Sequence, residues 1–340
     1  MSETGRPSPL AQVRNPEGRM LAIRLGAMGD IIFTLPAVAS LKHSFPGWHL
    51  TWAIEPQWAP LLERNPFVDS VLPVRRDTPR GLLDSWRLLR GARFDFAVDF
   101  QGLIKSALVA SAARTGRIYG FHHGQARERL AALFYSDTIT TLARHMVEKH
   151  LDLAAAAGAG SALRVFPLPA GHAEGDLPAG DFVIASPLAG WRSKQWPLEH
   201  YRVLARLLRR ELNLPLVLDG PHASRPLLAQ IQEAVPHASS VAGLIYATRR
   251  ATAVVGVDSG PLHIAAALGR PGVALYGPTD PARNGPYGDS LRVLRAAGAV
   301  TTYQRHHSID ESMRQLGPEQ VFEALRSVLG EHRPTAGHVA

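Results

Sequence analysis

Short apolar stretches alternate with amphipathic ones along the first half of the chain. Strands are predicted at 20–25, 48–54, 70–74, 94–99 and 117–121, with helical patterns near 31–44, 57–64, 80–92 and 102–114. Nearly continuous apolar strands that alternate with helices are typical of a mainly parallel sheet covered on both faces. The first half is therefore predicted to be a doubly wound α/β unit.

The second half repeats this alternation. Strands are predicted at 181–186, 214–219, 252–257 and 272–276, and helices near 198–211, 222–235, 261–268 and 318–329. A stretch rich in Gly, Ala and Pro, residues 158–180, lies between the halves and contains the expected interdomain linker. We predict a loose tail at 1–19, a first domain at 20–165, a linker at 166–180, a second domain with a C-terminal helix at 181–330, and a tail at 331–340. Both sheets would present the carboxyl ends of their strands, where such sheets bind ligands, to a central cleft.

The composition supports two globular domains and excludes several kinds of site. With 340 residues, of which 46% are hydrophobic and 19% charged, the chain can bury a full core. Cysteine is absent, which excludes disulfides, thiolate metal ligands and cysteine nucleophiles. No apolar run reaches the ~18 residues of a membrane span, and the first 19 residues contain no signal-peptide core. We therefore expect a soluble, cytoplasmic protein.

The charge balance indicates an anionic partner for the first half. The formal net charge is +8, of which residues 1–170 carry +6 and residues 171–340 carry +2. Arginine supplies most of the 37 basic residues, because the only lysines are Lys42, Lys105, Lys149 and Lys194. A nucleic acid, a phosphorylated molecule or a membrane surface could be the partner.

The segment IRLGAMGDIIFTLPAVASL, residues 23–41, places an aspartate where a strand turns into a helix. Gly26 and Gly29 allow a tight turn and close approach to a ligand, but their spacing matches neither a dinucleotide-binding motif nor a P-loop. Asp30 is either the N-cap, accepting backbone N–H groups, or a carboxylate facing the cleft that takes a proton from an acceptor hydroxyl. The two roles are compatible at a helix start.

Two segments of the second half have the features of a phosphate site. Asp258-Ser259-Gly260-Pro261 follow a buried strand and open a helix, whose first N–H groups favour an anion, and His263 lies near its first turn. In PLAGWRSKQWP, residues 187–197, Ala189 and Gly190 leave the backbone open and Lys194 can pair with a phosphate. The alternatives are an ordinary capped helix and a solvated lysine.

Polar and basic groups of the first half form a candidate acceptor site. Gln101 and Lys105 surround a strand-to-helix turn in DFQGLIKSALVA, residues 99–110, and would share a helix face if the helix began early. The segment at 75–93 has six arginines against two aspartates and is either a solvated helix face or an anion-binding surface. The acceptor-site candidates are Gly29, Arg75, Arg76, Arg80, Gln101, Lys105 and Arg127.

Six motifs occur in order along residues 20–330. They are GAMGDIIFTLPA, DFQGLIKSAL, ARERLAALFY, SKQWP, VGVDSGPLHIAAALGRPGVALYGPTDP and MRQLGPEQVFEAL. With these motifs the chain resembles the lipopolysaccharide heptosyltransferases of glycosyltransferase family 9. The segments DFQGLIKSAL and GPTDPARNGPYG look most like the heptosyltransferase I branch.

The resemblance implies a GT-B fold, in which two Rossmann-like domains face a central cleft and the second domain holds most of the donor. It implies inverting, metal-independent transfer of L-glycero-D-manno-heptose from ADP-heptose to the 3-deoxy-manno-octulosonic acid of lipid A, without a cofactor. Asp30 matches the proposed base of the family. Matches to donor-site positions are Lys194, Asp258, Ser259, Gly260 and His263.

The residues fit that chemistry in two further respects. The pairs His122-His123 and His306-His307 lack metal-ligand spacing, so no metal site is predicted. The basic first half would face an anionic lipid as a peripheral contact at the cytoplasmic face of the inner membrane. We expect a monomer. The sequence departs from the family in two places: Pro221–Arg225 lack the acidic residue that commonly follows LDG, and the segment at 242–252 is shorter than usual.

Three other functions compete with this interpretation. The chain could be heptosyltransferase II or another family 9 transferase with a different acceptor. It could be a sensor that binds a sugar nucleotide without turnover. A nucleic-acid-binding module is disfavoured, because the arginine segment lacks interleaved aromatic residues and a recognised binding motif.

Overall fold

A six-stranded parallel sheet forms the first half of the computed structural model, which describes residues 18–75, 78–302 and 304–331. Its strands are β1 (Arg19–Ile23), β2 (His49–Ile54), β3 (Ser70–Pro73), β4 (Phe94–Asp99), β5 (Thr115–Phe121) and β6 (Asp137–Ile139). They lie in the order β3-β2-β1-β4-β5-β6. This is the strand order of a Rossmann-type doubly wound sheet.

A second parallel sheet of six strands forms the other half. Its strands are β7 (Val183–Ser186), β8 (Leu216–Gly220), β9 (Val235–Ala238), β10 (Ala253–Val257), β11 (Gly272–Tyr276) and β12 (Leu291–Arg295). The order β12-β11-β10-β7-β8-β9 is the same arrangement counted from β7. The prediction of two Rossmann-like halves is therefore confirmed, while the bounds predicted for the domains, linker and tails remain predictions.

Helices connect the strands and cover both sheets. They are α1 (Met28–Ser44), α2 (Pro79–Gly91), α3 (Ile104–Ala112), α4 (Met146–Ala156), α5 (Leu198–Leu212), α6 (Arg225–Leu228), α7 (Val241–Arg250), α8 (Gly260–Ala267), α9 (Pro281–Asn284), α10 (Glu311–Arg314) and α11 (Pro318–Glu331). Short 3₁₀ turns lie at Pro56–Leu62, Arg129–Phe134, Arg192–Lys194 and His222–Ser224. Within the described ranges, no helix is both long and apolar enough to cross a membrane.

Alternate residues of β1 face opposite layers of the first half. Met20 and Ala22 belong to the core cluster that contains the buried faces of α1 and α4. Leu21 and Ile23 belong to a second cluster with buried residues of α2 and α3. Since successive strand residues point to opposite faces, α1 and α4 cover one face of the sheet and α2 and α3 cover the other.

The second half packs onto the α1 side of the first. Leu244 and Ile245 of α7 and Ile264 of α8 are buried in the same cluster as the α1 and α4 side chains. The two halves therefore share an apolar core next to the cleft.

Two helices predicted from the sequence are wrong in type or length. Residues 57–64 were expected to be α-helical, but Pro56–Leu62 form a 3₁₀ turn, because Pro60 cannot donate an i→i−4 hydrogen bond. The helix expected at 222–235 is reduced to a 3₁₀ turn and the four-residue α6. The short parallel strand β9 follows; it contains Pro236 and begins at Val235, the residue where the predicted helix was expected to end.

Candidate active site

Asp30 lies in the first turn of α1, at the carboxyl end of β1. The N-cap is Ala27, which has extended backbone angles, and no described side chain caps the helix there. The N-cap hypothesis for Asp30 is therefore wrong, because the helix begins at Met28 and Asp30 is already inside it. The Asp30 carboxylate therefore does not cap α1 and can interact with other groups.

Arg24 holds that carboxylate. One guanidinium nitrogen forms an ion pair with Asp30 Oδ2, and another donates to the Phe100 carbonyl oxygen at 2.7 Å. The Arg24 side chain is 3% exposed, whereas that of Asp30 is 26% exposed. Burial acts to raise the pKa of Asp30, but the positive charges of Arg24 and Arg127 outweigh it and hold the pKa below its ordinary value. The site thus contains an ionised carboxylate that ligands can reach.

A buried histidine lies beneath the start of α1. His150 Nδ1 is 3.1 Å from the Phe33 carbonyl oxygen and 3.2 Å from Thr34 Oγ1. Burial, followed by the charge of Arg24, lowers the pKa of His150 to about 3. The ring is therefore neutral, and Nδ1 donates to the Phe33 carbonyl oxygen.

A second cluster of charges lies where β10 runs into α8. Asp258 accepts hydrogen bonds from Lys194 Nζ at 2.6 Å and from Thr279 Oγ1 at 2.7 Å. His263 Nε2 is 3.6 Å from the other carboxylate oxygen. Burial acts to raise the pKa of Asp258, but His263 and Lys194 outweigh it and set the pKa at about 2. A buried carboxylate thus fixes the ammonium of Lys194 beside the first turn of α8.

The remaining predicted donor residues surround this cluster. Ser259 is the N-cap of α8, and its hydroxyl donates to the Val257 carbonyl oxygen at 3.1 Å instead of capping the helix. The Ala189 carbonyl oxygen accepts from Gln195 at 3.0 Å, and no described atom would lie within 4 Å of a Cβ on Gly190. The loop after β7 therefore leaves open space at Gly190.

The two clusters meet across the interface between the halves. A Cβ placed on Gly29 would lie 2.5 Å from His263 Cδ2, and one on Gly260 would lie 2.7 Å from Met28 Cβ. The ring centroids of Phe33 and His263 are 4.5 Å apart. Glycine is required at both positions for the first turns of α1 and α8 to approach this closely.

Both clusters lie at topological switch points. Asp30 follows β1, which neighbours β4, and Asp258 follows β10, which neighbours β7. In open parallel sheets, ligands bind outside the carboxyl ends of the strands where the strand order reverses. The fold therefore places two ligand-binding crevices opposite each other.

The turn after β4 is braced from within. Asp99 accepts from the Tyr135 hydroxyl at 2.7 Å and from Ser106 Oγ at 2.8 Å, and burial raises its pKa. Gln101 Oε1 accepts from the Leu25 backbone N–H at 2.8 Å. Since α3 begins at Ile104, Gln101 precedes the helix, and the shared helix face considered for Gln101 and Lys105 is not present.

The predicted acceptor-site cations occupy different places. Arg127 is exposed and close enough to lower the pKa of Asp30. Arg75 and Arg80 are exposed near the start of α2, beyond the outer strand β3, and Lys105 lies in the first turn of α3. Arg76 lies outside the described residues. The charge of Arg127 therefore connects this residue electrostatically to Asp30.

A further polar cluster lies at the carboxyl ends of β8 and β9. Asp219 is buried and accepts from Ser239, and it lies 2.8 Å from His237 Nδ1. Glu174, from the segment before β7, accepts from the Ser240 backbone N–H at 2.7 Å. His172 Nε2 lies 2.9 Å from Glu174 Oε1, and His222, in the segment where the sequence lacks an acidic residue, lies 3.9 Å from Oε2. A partly exposed carboxylate therefore reaches this edge from a distant part of the chain.

Sequence reasoning missed Arg24, His150 and Glu174. Arg24 had a weak signal, since it is the one charged residue inside MLAIRL. The other two had none, because each comes from a separate part of the chain. Within the described ranges, no three His, Asp or Glu side chains are grouped so that they could hold a metal ion.

Comparisons with known proteins identify the family. The model of glycosyltransferase family 9 (heptosyltransferase) matches residues 82–312. Lipopolysaccharide heptosyltransferase 1 of Escherichia coli K12 is 30% identical over 91% of this chain and 100% of its own length. Lipopolysaccharide heptosyltransferase 2 of Salmonella typhimurium is also 30% identical, over 92% of this chain and 99% of its own length.

A solved structure shows the same architecture. The E. coli heptosyltransferase WaaC with ADP superposes with a TM-score of 0.74 at 27% identity, covering 90% of this chain and 98% of that one. The fold, the paired switch points and the matched sequence agree, and the expected GT-B architecture is confirmed. The chain therefore belongs to glycosyltransferase family 9, the heptosyltransferase family, and is a glycosyltransferase.

Proposed function

We propose that this enzyme transfers L-glycero-D-manno-heptose from ADP-heptose to the 3-deoxy-manno-octulosonic acid of lipid A, in the inner core of lipopolysaccharide. The observation that carries the proposal is the approach of the helix start that bears an ionised, accessible carboxylate to a helix start on the other half, beside which Asp258 holds Lys194. Support for the donor comes from similarity to WaaC, whose structure with ADP-2-deoxy-2-fluoro heptose matches with a TM-score of 0.72 at 27% identity.

In the proposed reaction, Asp30 is the general base. Its carboxylate takes the proton of the acceptor hydroxyl while that oxygen forms a bond to the anomeric carbon of heptose. The bond from this carbon to the β-phosphate oxygen breaks on the opposite side, which inverts the configuration, and its electron pair leaves with ADP. The lowered pKa keeps Asp30 ionised, and general-base catalysis contributes typically 10²–10⁴-fold.

The leaving ADP would be stabilised by fixed positive groups. Lys194 and the first N–H groups of α8 adjoin the site where the diphosphate would bind. Because Asp258 holds Lys194 in place, this charge is oriented before the donor binds. Of the two carboxylates at this edge, Glu174 is proposed for the ribose hydroxyls, because its side chain is 18% exposed whereas that of Asp219 is 4% exposed.

Acceptor-dependent release of ADP from ADP-heptose, measured in EDTA, tests the reaction. We expect release only when lipid A bearing 3-deoxy-manno-octulosonic acid is present, and no loss of rate in EDTA. A rate that falls in EDTA and returns with a divalent ion would contradict the metal-independent mechanism.

An Asp30→Asn variant tests the base. Asparagine keeps the shape of the side chain but cannot take the proton, so we expect kcat to fall by about 10²–10⁴-fold. ADP should bind as tightly as before, since Asp30 lies on the first half. Turnover within a few-fold of the original enzyme would refute this role.

The acceptor that the enzyme uses distinguishes heptosyltransferase I from heptosyltransferase II. Relatives of both kinds are 30% identical to this chain, and the motifs after β4 and β11 favour heptosyltransferase I. We expect transfer to an acceptor that lacks heptose. Transfer only to an acceptor that already carries one heptose would identify heptosyltransferase II instead. The proposed place of action is the cytoplasmic face of the inner membrane.

A further inference from the structure

Large apolar side chains are exposed among arginines on helix α2. Gly81, Ser85 and Leu89, spaced four residues apart, are buried against the first half. The exposed part of the helix surface carries Leu83 and Trp86, which are 46% and 42% exposed. The exposed arginines of this helix are Arg80, Arg87 and Arg90. Exposed leucine and tryptophan side chains next to arginines, whose charged heads reach water over apolar stems, suit a boundary between an apolar phase and anionic groups.

A second group of apolar side chains projects from the 3₁₀ turn at 129–134. Leu130 is 61% exposed and Leu133 is 80% exposed. Residues three apart in a 3₁₀ turn lie on the same side, so the two leucines point outward together. The turn is anchored by Ala131, which packs with Ala107 of α3 in a small buried cluster. The exposure of the leucines is therefore imposed by a packed element.

Both groups lie on the same side of the molecule. Helix α3 packs between α2 and the 129–134 turn, and its Leu108 is 46% exposed. Helices α2 and α3 cover the sheet face opposite to α1 and α4, and the second half packs against α1. The apolar and basic surface thus faces away from the second half. We call it the α2–α3 surface: Arg80, Leu83, Trp86, Arg87, Arg90, Leu108, Arg129, Leu130 and Leu133.

One chain segment joins the α2–α3 surface to the residues beside Asp30. Arg127, whose charge reaches Asp30, precedes Leu130 by three residues. A Cβ on Gly102, in the turn after β4, would lie 3.2 Å from the Arg127 backbone nitrogen. One short segment therefore runs from the neighbourhood of the base to the exposed leucines.

We propose that the α2–α3 surface docks on an anionic phospholipid bilayer. The leucines and Trp86 would enter the interface, and the arginines would pair with lipid phosphates. The proposal rests on the proposed function, since a lipid-anchored acceptor can then enter the cleft beside Arg127 while its acyl chains stay in the bilayer. A bilayer fits better than a protein partner, because the leucines project from two separate elements with cationic side chains around them.

Sedimentation with vesicles tests the surface without any substrate. We expect the full chain to bind vesicles that contain phosphatidylglycerol and to bind pure phosphatidylcholine at least several-fold more weakly. The double variant Leu130→Ser/Leu133→Ser should lose roughly tenfold in partition to anionic vesicles, as the loss of two inserted side chains requires. Val300→Ser is the matched control, since Val300 is 79% exposed on the second half.

Transfer assays and vesicle binding together distinguish a failure of this proposal from a failure of the proposed function. The double variant should transfer heptose to a deacylated acceptor in solution at the original rate and lose transfer to acceptor in vesicles. Trp86→Ser, on a different element, should weaken vesicle binding without changing transfer in solution. Unchanged vesicle binding in both variants, or equal binding to the two lipids, would overturn the docking surface. An enzyme inactive on every acceptor, but binding vesicles as described, would overturn only the proposed function.

Discussion

At the scale of single residues, the ionisation of the candidate base Asp30 depends on Arg24, which lies just before the motif GAMGDIIFTLPA. Arg24 follows the last residue of β1 and is almost wholly buried, so its charge is poorly screened by water. The Asp30 carboxylate compensates that charge, and the Phe100 carbonyl oxygen accepts a second N–H group. Removing one partner of such a pair exposes the other to the full cost of burial.

Substituting Arg24 should change the pH dependence of the enzyme. In Arg24→Gln, the positive charge that lowers the pKa of Asp30 most is lost while the burial of the carboxylate remains, so this pKa rises. A base must be ionised, and the acid limb of kcat/KM against pH should therefore move to higher pH. Arg24→Lys keeps the charge and is the control. An acid limb at the same pH in Arg24→Gln would show that Arg24 does not set the ionisation of the base.

At the scale of elements, the close approach of α1 and α8 determines the geometry between the two halves. Gly260→Ala introduces a Cβ that would lie 2.7 Å from the Met28 Cβ, so one helix start must move away from the other. We expect kcat to fall by about tenfold or more, because misplacement of reacting groups is costly. Steady-state kinetics on the two substrates measures this.

The control for that substitution is Gly298→Ala, where no described atom lies within 4 Å of the new Cβ. Its kcat and melting temperature should match those of the original enzyme. Equal kcat in Gly260→Ala and Gly298→Ala would mean that the spacing of α1 and α8 is not critical.

The secondary-structure elements also differ in how well the sequence predicts them. The strands β1, β4, β7 and β10 were found because each is a nearly continuous apolar run. Strand β9 was missed because it is four residues long and contains a proline, and α4 because AAAAGAG obscures its end. In the site, Asp30, Lys194 and Asp258 stand in local motifs. Arg24 is near Asp30 in the chain, but its place in an apolar strand does not show that it pairs with that carboxylate. His150 reaches α1 through contacts more than a hundred residues apart, which no local pattern records.

At the scale of the whole molecule, stability should depend on pH through His150. Its pKa is about 3 in the folded chain against an ordinary 6.5. A depressed histidine pKa gives stability that is present above pH 6.5 and is lost as the pH falls towards 3, because only the unfolded chain binds the proton. This group should lower the free energy of unfolding by about 2 kcal/mol between pH 7 and pH 5.

Urea denaturation of His150→Leu at both pH values isolates that contribution. We expect the loss of unfolding free energy between pH 7 and pH 5 to be smaller than in the original chain by about 2 kcal/mol. The exposed His306 provides the control as His306→Leu, which should keep the original pH dependence. An identical pH dependence in His150→Leu would show that His150 is not buried in its neutral form.

The division of the candidate site between the two sheets also bears on how the proposed reaction depends on the two halves. Asp30 belongs to the first half, whereas Lys194, Asp258 and α8 belong to the second. In the proposed reaction, a donor bound to the second half lies next to the base only while the first turns of α1 and α8 stay in contact. Transfer would therefore respond to the spacing of the two halves more steeply than donor binding does, because the base and the donor site stand on different halves.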